Sequence, residues 1–290
     1  MLTNKLILGT VQMGLAYGIN NSAGKISFES SCDILKTAFN IGITTLDTAE
    51  AYGNAHEVIG AFHQMNPSST FSIITKIPHD FGVSSIVAKV EQYITDLQVD
   101  SIEVLMFHSF DSYMNNQDGL ASLMELKNRG IIKHIGVSVY TNAQIDALLY
   151  DEAITVVQLP FNLLDNAHLR GTHLQKLKDQ GKIIHTRSAF LQGLFFMDKT
   201  SQNKIYQQLA PEIAEINKIS ISADKSISAL ALSYCLNQPH IDQVLIGVDS
   251  VSQLIENEQS AKSGISLEMI DQINAITVKN PDLLNPSLWK

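Results

Sequence analysis

Among 290 residues only two are cysteine and seven proline, cations are sparse, and no long apolar run occurs. Cys32 and Cys235 lie far apart, which excludes a disulfide framework and a CxxC redox pair and points to two buried thiols in a reducing, cytoplasmic setting. Twenty Lys and Arg against 29 Asp and Glu give a formal net charge of −9. Cations spread that thinly offer no footprint for a nucleic-acid backbone or an anionic membrane, so neither is expected as a partner. A membrane span needs about 18 uninterrupted apolar residues, and the chain has none. The run Leu6 to Leu8 after Lys5 resembles a signal-peptide core only briefly, because Gly9, Gln12 and Gly14 break it and no small-residue cleavage site follows. Two nucleotide-binding signatures are also missing. GxGxxG does not follow the first apolar run, and the nearest phosphate-loop match, Gly18 to Lys25, has five residues between its glycines and Ile26 where Ser or Thr would be required.

The chain does contain short aliphatic runs alternating with segments of helical period. The runs are Lys5–Leu8, Ile43–Leu46, Phe71–Thr75, Ile102–Phe107, Ile135–Val137, Thr155–Val157, Ile183–His185 and Val244–Ile246. Between them, segments such as Ser31–Asn40, Val83–Leu97, Leu120–Arg129 and Asp224–Leu236 repeat apolar residues at three and four and read as amphipathic helices. Mostly apolar strands separated by one helix each predict a parallel sheet with right-handed crossovers. Eight such units predict a closed (β/α)8 TIM barrel, and with no linker or composition shift residues 1–290 are read as one domain.

Polar residues end these apolar runs. Asp47, Lys76, His108, Ser138, Gln158 and Arg187 follow one another at separations of 20 to 32 residues. A barrel would turn that spacing into neighbours around one mouth, the C-terminal face where such folds build active sites. Any one of them alone reads as a loop or capping residue, and Gln158 by itself reads as structural. Asp47 and Lys76 are different, because an acid and an amine emerging from adjacent strands would pair, and a buried pair is seldom kept for stability alone. A metal site is not expected: His168 and His173 are five apart rather than four, with no further ligand cluster.

The ordered set LGTVQMG (8–14), LDTAEAYGNAHEVIG (46–60), TK (75–76), His108, IGVSVY (135–140), VQLPFNLLD (157–165), RSAFLQGL (187–194) and LIGVDSVSQLIEN (245–257) resembles the aldo-keto reductase superfamily over nearly the whole chain. The resemblance implies reduction of an aldehyde or ketone with NAD(P)H and carries a catalytic four onto Asp47, Tyr52, Lys76 and His108. Tyr52 would donate the proton, Lys76 would favour the phenolate, Asp47 would hold the lysine, and His108 would orient the carbonyl. A rival from another class is a slow-turnover nucleotide-sensing or scaffold subunit like the cofactor-binding subunits of potassium channels.

For the cofactor, the resemblance implies Thr10, Ser138, Gln158 and Arg187 near the nicotinamide. It further implies Ser188, Leu191, Gln192 and Gly193 around the pyrophosphate, and Gly247, Gln253, Glu256 and Asn257 at the adenine end. Two departures stand out: Val139 replaces a common Asn, and Arg187 replaces an aromatic residue that often stacks on the nicotinamide. A guanidinium there would lie on a ring or recognise a carboxylate or phosphate. The tail carries no Lys or Arg for a 2′-phosphate, so family habit, which puts NADP(H) slightly ahead, is set against local charge, which argues for NAD(H). Met13, Tyr17, Phe107, Phe161, Phe190 and Trp289 are candidate pocket residues, with the terminal NPSLW segment either a lid or frayed. Their modest aromatic content points to aldoses, small aldehydes or sugar-linked ketones as substrates. Oligomeric state is not legible.

Overall fold

The computed structural model describes residues 5–19, 21, 24–79, 82 and 85–289. Eight parallel strands form a closed barrel in sequence order: β1 (Leu6–Gly9), β2 (Thr45–Asp47), β3 (Ser72–Ile77), β4 (Ile102–Phe107), β5 (Ile132–Ser138), β6 (Val156–Pro160), β7 (Ile183–Arg187) and β8 (Gln243–Ile246). Ladders such as Gly9↔Asp47 and Lys76↔Met106 join consecutive strands, and Ile7↔Leu245 closes the ring between β8 and β1. All eight expected runs are strands. Several extend further toward their C-terminal ends than the apolar runs do, taking in Asp47, Lys76, Ser138, Gln158 and Arg187, because ladder hydrogen bonds use the backbone and tolerate a polar side chain that faces the barrel mouth.

The side-chain period of two then sorts the barrel. Ile7, Ile74, Val104, Met106 and Val156, with Ile183 and Leu245 against them, fill its interior as a small apolar cluster. Two residues further along the same faces stand Gly9, Lys76, His108, Gln158, His185 and Gly247, so an apolar floor gives way to a polar ring. Residues of opposite parity, among them Leu46, Ile73, Leu105, Phe107, Ile135, Val157 and Ile184, face outward and merge with the helices in the main core.

The helices follow their patterns. Phe28–Asn40 buries Ile34, Leu35 and Ala38 and is capped by Ser27, whose hydroxyl accepts from the Ser30 amide. Ile86–Leu97 buries Ile86, Val90, Tyr93 and Leu97 on one stripe; residues 83 and 84 of the expected Val83–Leu97 helix lie outside the described residues. Helix Ile227–Leu236 departs from expectation, since nine of its ten residues are buried. It is covered by the helices Ala210–Ser222 and Val251–Ala261 and by β8, so no polar face is needed. Cys235 is buried in it, whereas Cys32 is only half-buried; both are free thiols. No helix among the described residues is long and apolar enough to cross a membrane.

Candidate active site

On the inner wall of the barrel mouth Lys76 pairs with Asp47, each side chain only 3% exposed. Lys76 Nζ also donates to the Thr48 carbonyl at 3.1 Å, and Gln158 Nε2 donates to Asp47 Oδ2 at 2.8 Å. Each carboxylate oxygen is thereby taken by a different donor, and the Gln158 amide must turn its nitrogen inward, leaving its carbonyl oxygen as the group free to face a ligand. A pair this buried adds little net stability over an apolar substitute of equal shape, because desolvation offsets most of the attraction.

Tyr52 lies beside this pair, with Lys76 Nζ 5.2 Å from its ring centroid. His108 stands edge-on to the same ring at 5.9 Å and stacks on His79 at 5.5 Å. Burial raises the Tyr52 pKa above its ordinary value, and the Lys76 charge offsets only part of that shift. Burial also works against the Lys76 ammonium, but the Asp47 carboxylate and Tyr52 outweigh it and raise its pKa. His108 is pushed down to about 4 by burial, helped by Lys76 and His79. At neutral pH the group therefore holds a protonated phenol, a charged ammonium and a neutral imidazole whose Nδ1 is buried without a hydrogen-bond partner.

The loop carrying Tyr52 is anchored from two sides. Glu50 takes both oxygens to Lys89 Nζ at 2.7 Å and accepts from the Tyr93 hydroxyl, while its amide donates to the Lys76 carbonyl at 3.2 Å. On the other side Gly14 approaches so closely that a Cβ there would stand 1.7 Å from the Tyr52 carbonyl oxygen. Gly14→Ala is expected to push the Tyr52 loop away, lowering kcat about tenfold or more and stability by about 1–3 kcal/mol. Unchanged kcat alongside a lowered urea midpoint would show that the backbone of Tyr52 need not be held there.

A cavity of about 470 Å³ opens over this wall. Asp47, Tyr52, Thr10, Gln158, Arg187, Ser188, Gln192, Gly193, Gly247, Gln253, Glu256 and Asn257 all line it. Ser138 and Leu191 do not: both are buried, Leu191 completely. That loop is strained, with Ser188, Leu191 and Gln192 at positive φ of 62°, 46° and 54°, a conformation that costs non-glycine residues free energy and clusters at functional sites. Gln192 Nε2 donates to the Tyr17 hydroxyl at 3.0 Å, tying the loop across the mouth to the segment after β1.

Of the expected pocket residues, Tyr17 and Phe190 line the cavity. Met13, Phe107 and Phe161 are instead fully buried in the outer core. Phe107 has the outward parity of β4, and Phe161 stacks on Tyr234 at 5.4 Å. Trp289 donates from its indole to the Leu283 carbonyl at 3.1 Å and packs against the core away from the cavity, neither lid nor frayed end. Sequence reasoning missed several residues that matter. Gln12, Phe196, Ser228 and Asp249 line the cavity, His79 stacks behind His108, and His185 is buried at the level of Gln158 with Nδ1 unpartnered. His185 had a signal: it is two residues before Arg187 on the same strand face. Among the described residues no group of three or more His, Cys, Asp or Glu side chains gathers as a metal site.

The Aldo/keto reductase family model matches residues 5–278. The chain is 24% identical to L-galactose dehydrogenase of Arabidopsis thaliana, across 91% of this chain and 89% of that protein. It is 22% identical to the NADH-specific methylglyoxal reductase of Escherichia coli, across 91% of each. The holo form of aldo-keto reductase AKR11C1 from Bacillus halodurans superposes with a TM-score of 0.80 at 20% identity, across 95% of this chain and 93% of that one.

Proposed function

This chain belongs to the aldo/keto reductase family, and from that premise we propose that it reduces a small aldehyde or ketone to the alcohol, with a nicotinamide dinucleotide bound along the cavity and Tyr52 as general acid, residues 1–290 acting as one catalytic domain. The observation that carries this reading is the meeting of Asp47, Lys76, Tyr52 and His108 at the barrel mouth, where Asp47 and Tyr52 line a cavity of about 470 Å³, a size in the range of ligand sites, with Lys76 and His108 directly behind them. The chain's own residues fit such a cofactor. Gln12 Oε1 is buried and unpaired, an acceptor left open on the cavity wall, and a Cβ on Gly247 would stand 2.8 Å from Gln12 Nε2, so a side chain there would displace the Gln12 amide. Thr10, Gln158, Ser188, Gln192 and Gly193 would hold the nicotinamide and pyrophosphate portions, and Gly247, Gln253, Glu256 and Asn257 the adenosine portion. When bound, the reduced nicotinamide supplies the hydride.

Tyr52 gives its proton to the carbonyl oxygen as the carbon is reduced, and the Lys76 ammonium stabilises the phenolate left behind. Asp47, held by Gln158, fixes the lysine. His108, neutral at working pH, offers a ring nitrogen to the carbonyl oxygen without competing as an acid. At the adenosine end the cavity is lined by Asp249 and Glu256, and among the described residues no Lys or Arg other than Arg187, at the end of β7, lines it. Carboxylates repel a 2′-phosphate and accept from a ribose hydroxyl, which supports NADH over NADPH.

Fluorescence titration with each nucleotide tests the site, followed by loss of reduced-nicotinamide absorbance against small aldehydes and aldoses. NADH is expected to bind at least as tightly as NADPH and to be consumed. Tighter NADPH binding would overturn the preference. Tight binding with slow exchange and no turnover would favour the nucleotide-sensing role, and binding of neither would overturn the site.

A further inference from the structure

Arg187, at the C-terminal end of β7, is the sole Lys or Arg among the described residues that line the cavity. Its guanidinium lies over the Tyr140 ring, Cζ 4.1 Å from the centroid, and Nη2 donates to the Val139 carbonyl at 3.1 Å. A guanidinium carries five N–H donors, and only one is spent on that carbonyl. No carboxylate among the described residues lies within ion-pairing distance of it. Arg170 provides the contrast: Nε and Nη2 bind Asp165 at 2.6 and 2.8 Å, Nη1 binds Asn142 at 2.7 Å, and Nη2 also binds the Tyr140 carbonyl at 2.7 Å. Arg170 thus neutralises the nearby carboxylate and fixes the backbone of Tyr140, whose ring in turn supports Arg187. The platform holds a cation that has no ion-pair partner among the described residues, since Asp165, the carboxylate that feels its charge, is bound by Arg170.

A half-buried cation loses hydration, and without a counter-charge that loss is uncompensated. The carboxylates that line the cavity do not supply one: Asp47 is taken by Lys76 and Gln158, while Asp249 and Glu256 belong to the segment after β8. Arg187 lines the same cavity as Tyr17 and Tyr52, at its reacting end, and its charge acts on both, on His108 and on Asp165. A planar fork with unspent donors in the cavity that Tyr52 also lines is suited to a carboxylate or phosphate oxygen pair, bound while the carbonyl of the same molecule meets Tyr52.

Resting on the carbonyl-reductase reading, we propose that Arg187 is a specificity-determining residue that selects carbonyl substrates bearing a carboxylate or phosphate group. Two matched pairs separate the sources of negative charge: succinic semialdehyde against butyraldehyde, and glyceraldehyde 3-phosphate against glyceraldehyde. The wild type is expected to show a higher kcat/KM for the charged member of at least one pair. Arg187→Met should lower the ratio of charged-member to neutral-member kcat/KM about tenfold or more, with Arg187→Lys intermediate, and the NADH dissociation constant measured in both variants separates this from any effect on the cofactor. Equal losses on charged and neutral members, or a loss that follows weakened NADH binding, would overturn the assignment and make Arg187 a cofactor residue. A wild type that prefers the neutral members would overturn it with the reductase reading intact. A wild type that reduces none of the four would overturn the reductase reading, and the Arg187 assignment with it.

Discussion

Replacing Tyr52 by phenylalanine is expected to lower kcat for carbonyl reduction by about 10²- to 10⁴-fold while leaving the nucleotide dissociation constant unchanged. The substitution removes one oxygen from a ring that keeps its edge-on contact with His108. What disappears is the proton donor. Lys76→Met would also stop turnover, but it would strand Asp47 as a buried carboxylate, a change that costs about 3–5 kcal/mol, so lost activity could reflect lost fold. Tyr52→Phe avoids that ambiguity. Because burial raises the Tyr52 pKa, the acid stays protonated through neutral pH, and the rate of reduction should not decline until the solution is strongly alkaline. Undiminished activity in Tyr52→Phe, with the fold verified by its urea midpoint, would remove Tyr52 from the mechanism.

The barrel and its polar ring were legible because both rest on short-range periodicity. Apolar runs mark strands, and a polar residue two positions beyond an inward apolar one, as Lys76 follows Ile74 and Gln158 follows Val156, must share its face. The same rule, applied further, would have put His185 inside and sent Phe107 outward. Other features have no local signature. The bond from Gln158 to Asp47, the closeness of Gly14 to Tyr52, and the stacking of Arg187 on Tyr140 under the control of Arg170 join segments far apart in sequence, and nothing in either segment announces the other. Glu50 shows the difference well. It reads as one polar residue in a loop, yet its partners Lys89 and Tyr93 sit 39 and 43 residues away on the helix Ile86–Leu97, and they anchor the loop that carries the general acid.

Stability is expected to fall steeply between pH 6.5 and 4, before the carboxylates titrate. His56, His108 and His185 are each pushed down to about 4, in every case chiefly by burial. His56 bonds Thr75 Oγ1 at 2.8 Å through Nε2, and His185 leaves Nδ1 without a partner. An imidazole in the unfolded chain takes its proton near 6.5. Below that value the unfolded state binds more protons than the folded one, so the stability conferred by neutral burial is fully present above pH 6.5 and is lost as pH falls, levelling off only near 4. Each histidine would contribute about 3 kcal/mol over that window, and three of them approach the whole stability of an ordinary domain, about 5–15 kcal/mol. Urea midpoints at pH 7.5, 5.5 and 4.5 measure the effect, and His185→Gln should flatten the slope by about one proton. Equal midpoints at pH 7.5 and 4.5 would mean that these imidazoles are reached by water and charge in place. Activity should behave differently from stability: His108 is neutral across the physiological range, so kcat of the folded enzyme should show no inflection near 6.5, and an inflection there would mean that His108 works as a cation after all.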